Sequence, residues 1–155
     1  MLDQLSAIGG SFNIVPHLTA LIAAYILALP VGWDREKSER SAGLRTFPLV
    51  AIASCGFIQA TESLVHGNPE ATARIVEGLI TGMGFIGGGA ILVVKSNVRG
   101  TATAASLWAT GAVGTAVGLG AYDIAVVLSV LTFLTLRLGS TMKSSDQEDD
   151  ITRGK

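Results

Sequence analysis

The sequence holds a single cysteine, few charges and no recognisable catalytic or metal motif, and each scarcity removes a class of protein. Cys55 stands alone inside an apolar run, so no internal disulfide can form and the residue reads as a small packed thiol. Charged residues make up 15% of the 155, with a formal net charge of −1, which excludes the basic footprint that nucleic-acid binding needs. Residues 1–13 contain no Lys or Arg, so they lack the basic start of a cleaved secretory signal, and the first apolar helix is expected to stay in the mature protein. His17 and His66 are far apart and have no metal-ligand spacing; Glu62 lies one helical turn from His66, but helix-end solvation accounts for both. No cofactor or metal is expected. No nucleophile, base and orienting acid form an array that would indicate an enzyme.

Apolar residues are what the chain does have: 49% of the total, with a mean hydropathy of +0.53. A bilayer core demands about 20 apolar residues per helix, or about 17 at the short limit. Five segments meet this, at about 16–33, 47–65, 75–94, 102–118 and 122–138. The predicted fold is therefore all-α and polytopic, with about five transmembrane helices over residues 16–138. Residues 1–15 form an extracytoplasmic segment, and residues 139–155 an acidic cytoplasmic tail without fixed structure.

Orientation follows from the basic residues. Arg35, Lys37, Arg40 and Arg45 follow the first span, Arg74 stands alone in the next connection, Lys95 and Arg99 lie in the third, and Arg137, Lys143, Arg153 and Lys155 close the chain. Ten of the 11 basic residues thus fall in alternate connections. Positive residues stay inside, so the N-terminus is expected outside and the C-terminus in the cytoplasm.

The glycines need separate treatment. Gly82, Gly84 and Gly87 fit GxGxxG, yet no strand precedes them and no acidic residue follows at the distance a dinucleotide site requires. Close helix packing is the better account, because small residues let helices approach in lipid. Gly78, Gly82, Gly84 and Gly88 on the third span, with Ala105, Ala109, Gly114 and Gly118 on the fourth, are the expected packing residues. A homo-oligomer, with a dimer favoured, is expected through them. Arg35 and Glu39, and Glu36 and Arg40, are spaced four apart, predicting ion-paired turns beyond the first span.

Three stretches carry a resemblance. Asp34-Arg35-Glu36 with Ser41-Ala42-Gly43-Leu44-Arg45-Thr46 and Pro48-Leu49-Val50 is one; Arg74-Ile75 with Gly82-Met83-Gly84-Phe85-Ile86-Gly87-Gly88-Gly89 is the second. The third is Val98-Arg99-Gly100 with Thr103-Ala104-Ala105-Ser106-Leu107-Trp108. Together they resemble the MgtC/SapB (YhiD-like) family from about Leu18 to Leu138. Asp34 stands where Glu is usual, and Ala102 where relatives often have Thr or Asn. The resemblance implies a bacterial inner-membrane protein tied to virulence and to survival in low magnesium, acid or host cells. It implies a regulator or adaptor binding other inner-membrane proteins, including ATP synthase and phosphate-handling systems, in preference to direct magnesium transport.

Topology supplies a site of its own. The second and fourth helices both begin at the cytoplasmic surface, where their unpaired amides and positive dipole ends stand beside Arg45 and Arg99. Arg35, Glu36, Arg40, Arg45, Thr46, Arg99 and Thr101 are therefore expected to form one cytoplasmic cluster suited to a partner's carboxylate, a phosphate or a lipid headgroup. On the outer side Glu62, Glu77 and Asp123 would attract cations. An oligomeric cation channel or transporter, for magnesium or protons, is the alternative function, although no acidic residue is expected at midplane.

Overall fold

The computed structural model describes residues 14–38, 42–65, 67–94 and 97–153. They form five helices and one small hairpin: α1 (Ile14–Ser38), α2 (Thr46–Val65), α3 (Pro69–Gly89), β1 (Leu92–Val94), β2 (Asn97–Arg99), α4 (Thr101–Gly118) and α5 (Tyr122–Arg153).

In α1, Ala20, Ala24 and Ala28 recur every fourth residue and are all buried, so one narrow strip of the helix presses inward. Pro30 sits within α1 and removes one backbone donor, which membrane-type helices tolerate where neighbours enclose the turn. The strip meets Ala51 and Cys55 of α2, Val113, Ala116 and Val117 of α4, and Ala125 of α5. A second cluster joins Val31, Phe47, Val50 and Leu107. Helix α4 packs against every other helix and is the centre of the bundle.

These neighbours fix the directions. Val31 shares a cluster with Phe47 and Leu107, while Ala20 and Ala24 share the other with Val117. Helices α2 and α4 therefore run parallel, and α1 runs against both. Gly87 faces Ala104 and Met83 faces Gly111, so α3 is antiparallel to α4. Ser129 Oγ donates to the Leu27 carbonyl at 2.6 Å, joining α5 to α1 in mid-bundle. One end thus gathers the close of α1, the starts of α2 and α4, and the hairpin. The other gathers the close of α2, the start of α3 and the α4–α5 turn.

Buried hydroxyls line the centre. Ser106 and Thr110 donate to carbonyls three and four residues back, at 3.0 and 2.8 Å, as hydroxyls in apolar helices do. Ser54 Oγ is buried between α2 and α4 with no hydrogen-bond partner among the described residues.

The third expected span differs from the helix that forms. Asn68 accepts a hydrogen bond from the Ala71 amide at 3.0 Å and Pro69 occupies the first turn, so α3 starts six residues before position 75. It ends at Gly89, because three consecutive glycines weaken the last turn and Ala90 caps it. Residues placed in that span instead open an antiparallel hairpin, with Val93 opposite Val98 and Leu92 opposite Arg99. Gly100, at φ +84°, returns the chain into α4 where a side chain would strike the Ala90 carbonyl. The C-terminal stretch also differs, since α5 continues as helix through Arg153. Extending an existing helix costs no new nucleus, and residues 139–155 contain no proline to stop it.

Two helices are long and apolar enough by composition to cross a bilayer: α1, and α5 over Tyr122–Gly139. Their outward faces carry Ile22, Ile26, Val127, Leu131 and Leu134, all exposed. In water so extended an apolar surface would drive association; in lipid it meets its own solvent. The all-helical fold, with two helices of this length and composition among the described residues, is consistent with a membrane protein.

Candidate functional site

The arginine-bearing end is built from the last turns of α1. Asp34 and Arg35 form a buried ion pair, Nη2 to Oδ2 at 2.6 Å, with side chains 7% and 6% exposed. Arg35 Nε donates to the same oxygen at 3.2 Å and Nη2 to Ser38 Oγ at 3.4 Å. Glu36 Oε2 accepts from the Leu44 amide at 3.0 Å, and Gly43 lies so close to Glu36 that no side chain would fit there. Glu36 therefore ties α1 to the turn that precedes α2, while the Asp34–Arg35 pair stays within α1. Arg35 pairs with its neighbour in sequence, where spacing pointed to Glu39; Glu39 and Arg40 lie outside the described residues.

The remaining expected members face outward. Arg45, Arg99 and Thr101 are exposed and Thr46 is half-buried, beside the parallel N-termini of α2 and α4. Among the described residues neither Arg45 nor Arg99 holds an ion pair. The hairpin adds exposed Leu92, Val93 and Val98 next to Arg99, an apolar patch that sequence reasoning missed by assigning residues up to Val94 to a helix. Lys37 Nζ stands 4.2 Å from the Trp33 ring centroid, an aromatic–cation pair of the kind found where helices leave lipid.

The small residues divide in the same way. Gly114 and Gly118 press on α2: a side chain on Gly114 would meet the Ala51 backbone, and a Cβ on Gly118 would stand 2.8 Å from Ile58 Cβ. Gly111 and Gly87, which the spacing argument did not select, hold the α3–α4 contact against Met83 and Ala104. Gly78, Gly82, Gly84 and Gly88 have no atom within 4 Å of a Cβ position, and Phe85 beside them is 86% exposed. Ala105 is exposed and Ala109 half-buried. Between α3, α4 and α5 an apolar recess of about 270 Å³ is walled by Val76, Met83, Trp108, Ala112 and Leu128.

Towards the opposite end Glu62, Glu77 and Asp123 are all exposed. Glu77 is the ninth of the 21 residues of α3, about 12 Å from its start at Pro69, so it falls in the middle third of the helix that forms, where a span drawn from position 75 puts it near an end.

A bundle of apolar helices with a buried acid–base pair near one end, and exposed arginines beside an apolar hairpin on the same rim, is consistent with a membrane protein. The MgtC family model matches residues 21–145, and the chain belongs to that family. It is 35% identical over 116 residues to Protein MgtC of Salmonella typhimurium, covering 75% of this chain and 49% of that protein. It is 37% identical over 125 residues to a protein of Escherichia coli K12 named Putative magnesium transporter YhiD, covering 76% and 58%. Protein MgtC of Brucella abortus is 40% identical over 115 residues, covering 74% and 48%. The chain thus spans about half the length of the curated relatives it matches. No solved structure gives a significant match.

Proposed function

We propose that the chain is a non-enzymatic, multi-pass regulator or adaptor of the bacterial inner membrane, acting in adaptation to low magnesium, acid or intracellular stress. It threads the bilayer five times, N-terminus outside and C-terminus in the cytoplasm, and captures other membrane proteins at its arginine-bearing end. The observation that carries this reading is the exposure of Arg45 and Arg99, without ion pairs, beside two parallel helix N-termini. Arginines and amide dipoles there are both positive, so a partner carboxylate or phosphate satisfies both at once. The hairpin patch and the recess beside Trp108 offer the apolar contacts a membrane partner would add. ATP synthase and phosphate-handling systems are partners of this chemistry.

Arg45→Ala and Arg99→Ala should each weaken capture of a native partner at least tenfold, since a charge-assisted hydrogen bond is worth roughly 1.5–3 kcal/mol. Crosslinking and pull-down from native membranes measures this, with insertion checked in parallel. Full partner retention in the double variant would remove the rim from the mechanism.

The YhiD relative's name mentions magnesium transport. Conduction would need carboxylates or carbonyls along a path. Among the described residues Glu77 is the one carboxylate in the middle third of its helix, no cluster of three acidic, His or Cys residues that could hold a metal surrounds it, and the buried Asp34 is already paired with Arg35.

We further propose that two copies pair through the uncovered glycine face of α3. Gly84→Leu or Gly88→Leu should leave the fold intact, because nothing in the chain lies there, and reduce the dimer fraction in crosslinking or single-molecule photobleaching. An unchanged dimer fraction in both variants would rule out this face.

A further inference from the structure

The end of the bundle opposite the arginines holds a cavity of about 390 Å³ that the reading above does not use. All five helices and the α4–α5 turn wall it. His17 comes from α1, Gln59 and Glu62 from α2, Thr72 from α3 and Tyr122 from α5. Thr72 and the neighbouring Thr61 already donate their hydroxyls to backbone carbonyls of their own helices or caps. The Glu62 carboxylate, the Gln59 amide and the Tyr122 phenol have no side-chain partner among the described residues. The rest of the wall includes Ile58, Ile75 and Val117.

Charge and size select the ligand. The lining carries one carboxylate, Glu62, and among the described residues Glu70, Glu77 and Asp123 lie towards the same end, with Arg74 as the basic residue there. A cation is favoured. A bare divalent ion fits poorly, since it needs six or more oxygens and usually two or more carboxylates, and no group of three acidic, His or Cys residues occurs among the described residues. The volume matches roughly a dozen waters, so it admits an organic cation with an apolar stem.

We propose that this cavity binds a primary ammonium carried on a short alkyl stem. Glu62 is the counter-ion, Gln59 and Tyr122 accept from the remaining N–H groups, and Ile58, Ile75 and Val117 enclose the stem. Two sources present this chemistry at a membrane surface: a free alkylamine, and the ethanolamine headgroup of a phospholipid.

The test uses the full chain. In detergent, calorimetry with n-butylammonium chloride should give one saturable site with a dissociation constant of about 1 mM or tighter, and n-butanol should give none. In phosphatidylcholine nanodiscs doped with phosphatidylethanolamine, native mass spectrometry should retain one ethanolamine lipid per chain. Saturation in the first arm alone assigns a free amine, in the second alone a lipid, and either supports the site. Glu62→Gln should weaken binding about tenfold, as loss of one ion pair in a partly screened cavity requires, while Glu62→Asp should keep most of it. Glu62 is exposed, so neither change removes packing, and an unchanged elution profile verifies the fold. Absence of saturable binding in both arms, equal binding by Glu62→Gln, equal binding of n-butanol, or displacement of the amine by magnesium at constant ionic strength would each overturn the proposal.

Discussion

Gly114→Ala should unfold the bundle at a temperature well below that of the parent protein, while Gly84→Ala, 30 residues earlier, should leave it unchanged or raise it slightly. A Cβ on Gly114 collides with the Ala51 carbonyl and stands 2.8 Å from its carbon and 2.9 Å from its Cα. All three are backbone atoms, so relief requires α2 and α4 to separate, and these are the central helices. Overpacking of this kind costs about 1–3 kcal/mol or more. Gly118→Ala meets Ile58 Cβ at 2.8 Å and the Cys55 carbonyl at 3.0 Å, so its cost should be similar or a little less. Gly111→Ala meets Met83 sulfur at 2.5 Å, and a flexible thioether can swing aside. At Gly84 nothing lies within 4 Å, and alanine gains up to about 1 kcal/mol of helix propensity. The expected order of thermal stability in detergent is therefore Gly84→Ala above Gly111→Ala, then Gly118→Ala, then Gly114→Ala. A Gly84→Ala protein less stable than Gly114→Ala would mean that the helices pack by a different pair of faces.

That ordering also separates what sequence spacing reveals from what it conceals. Small residues four apart mark helices that can approach closely, and Gly114 with Gly118 does so. The same spacing at Gly78 with Gly82 and at Gly84 with Gly88 faces no part of the chain, because periodicity names a helix face without naming its neighbour. The inward strip of α1 uses Ala20, Ala24 and Ala28, a repeat as regular as the glycines but hidden among other apolar residues. The hairpin was obscured by the uniform hydrophobicity of residues 90–94, which helix and strand share when read by composition alone. Asn68-Pro69, an N-cap followed by a first-turn proline, starts α3 ahead of the apolar run from Ile75 on which the expected span was drawn. At the arginine-bearing end, the shared placement of Arg45 and Arg99 follows from alternating helix direction, which the bundle has. The burial of Asp34 and Arg35 does not, since adjacent residues on a helix point about 100° apart and only long, bending side chains bring their charges together.

That pair sets the other large effect. Asp34→Ala should destabilise the fold by about 3–5 kcal/mol, because it strands the Arg35 guanidinium in a site where its side chain is 6% exposed. Arg35→Ala should cost a comparable amount by stranding the carboxylate. The pair itself contributes far less than either loss, since two desolvated ions recover only part of their hydration through one contact. Asp34→Leu with Arg35→Met should therefore be closer to the parent than either single change, a strongly non-additive cycle. Thermal unfolding of the four proteins in one detergent measures it. Additive losses would show that the two charges act independently, with Arg35 satisfied by water or lipid phosphate in place of Asp34. Capture of a partner supplies a second readout, because Arg35 is buried and paired with Asp34 whereas Arg45 is exposed. The double variant, if folded, should retain capture that Arg45→Ala loses, which separates the residues that hold the arginine-bearing end together from those that present it.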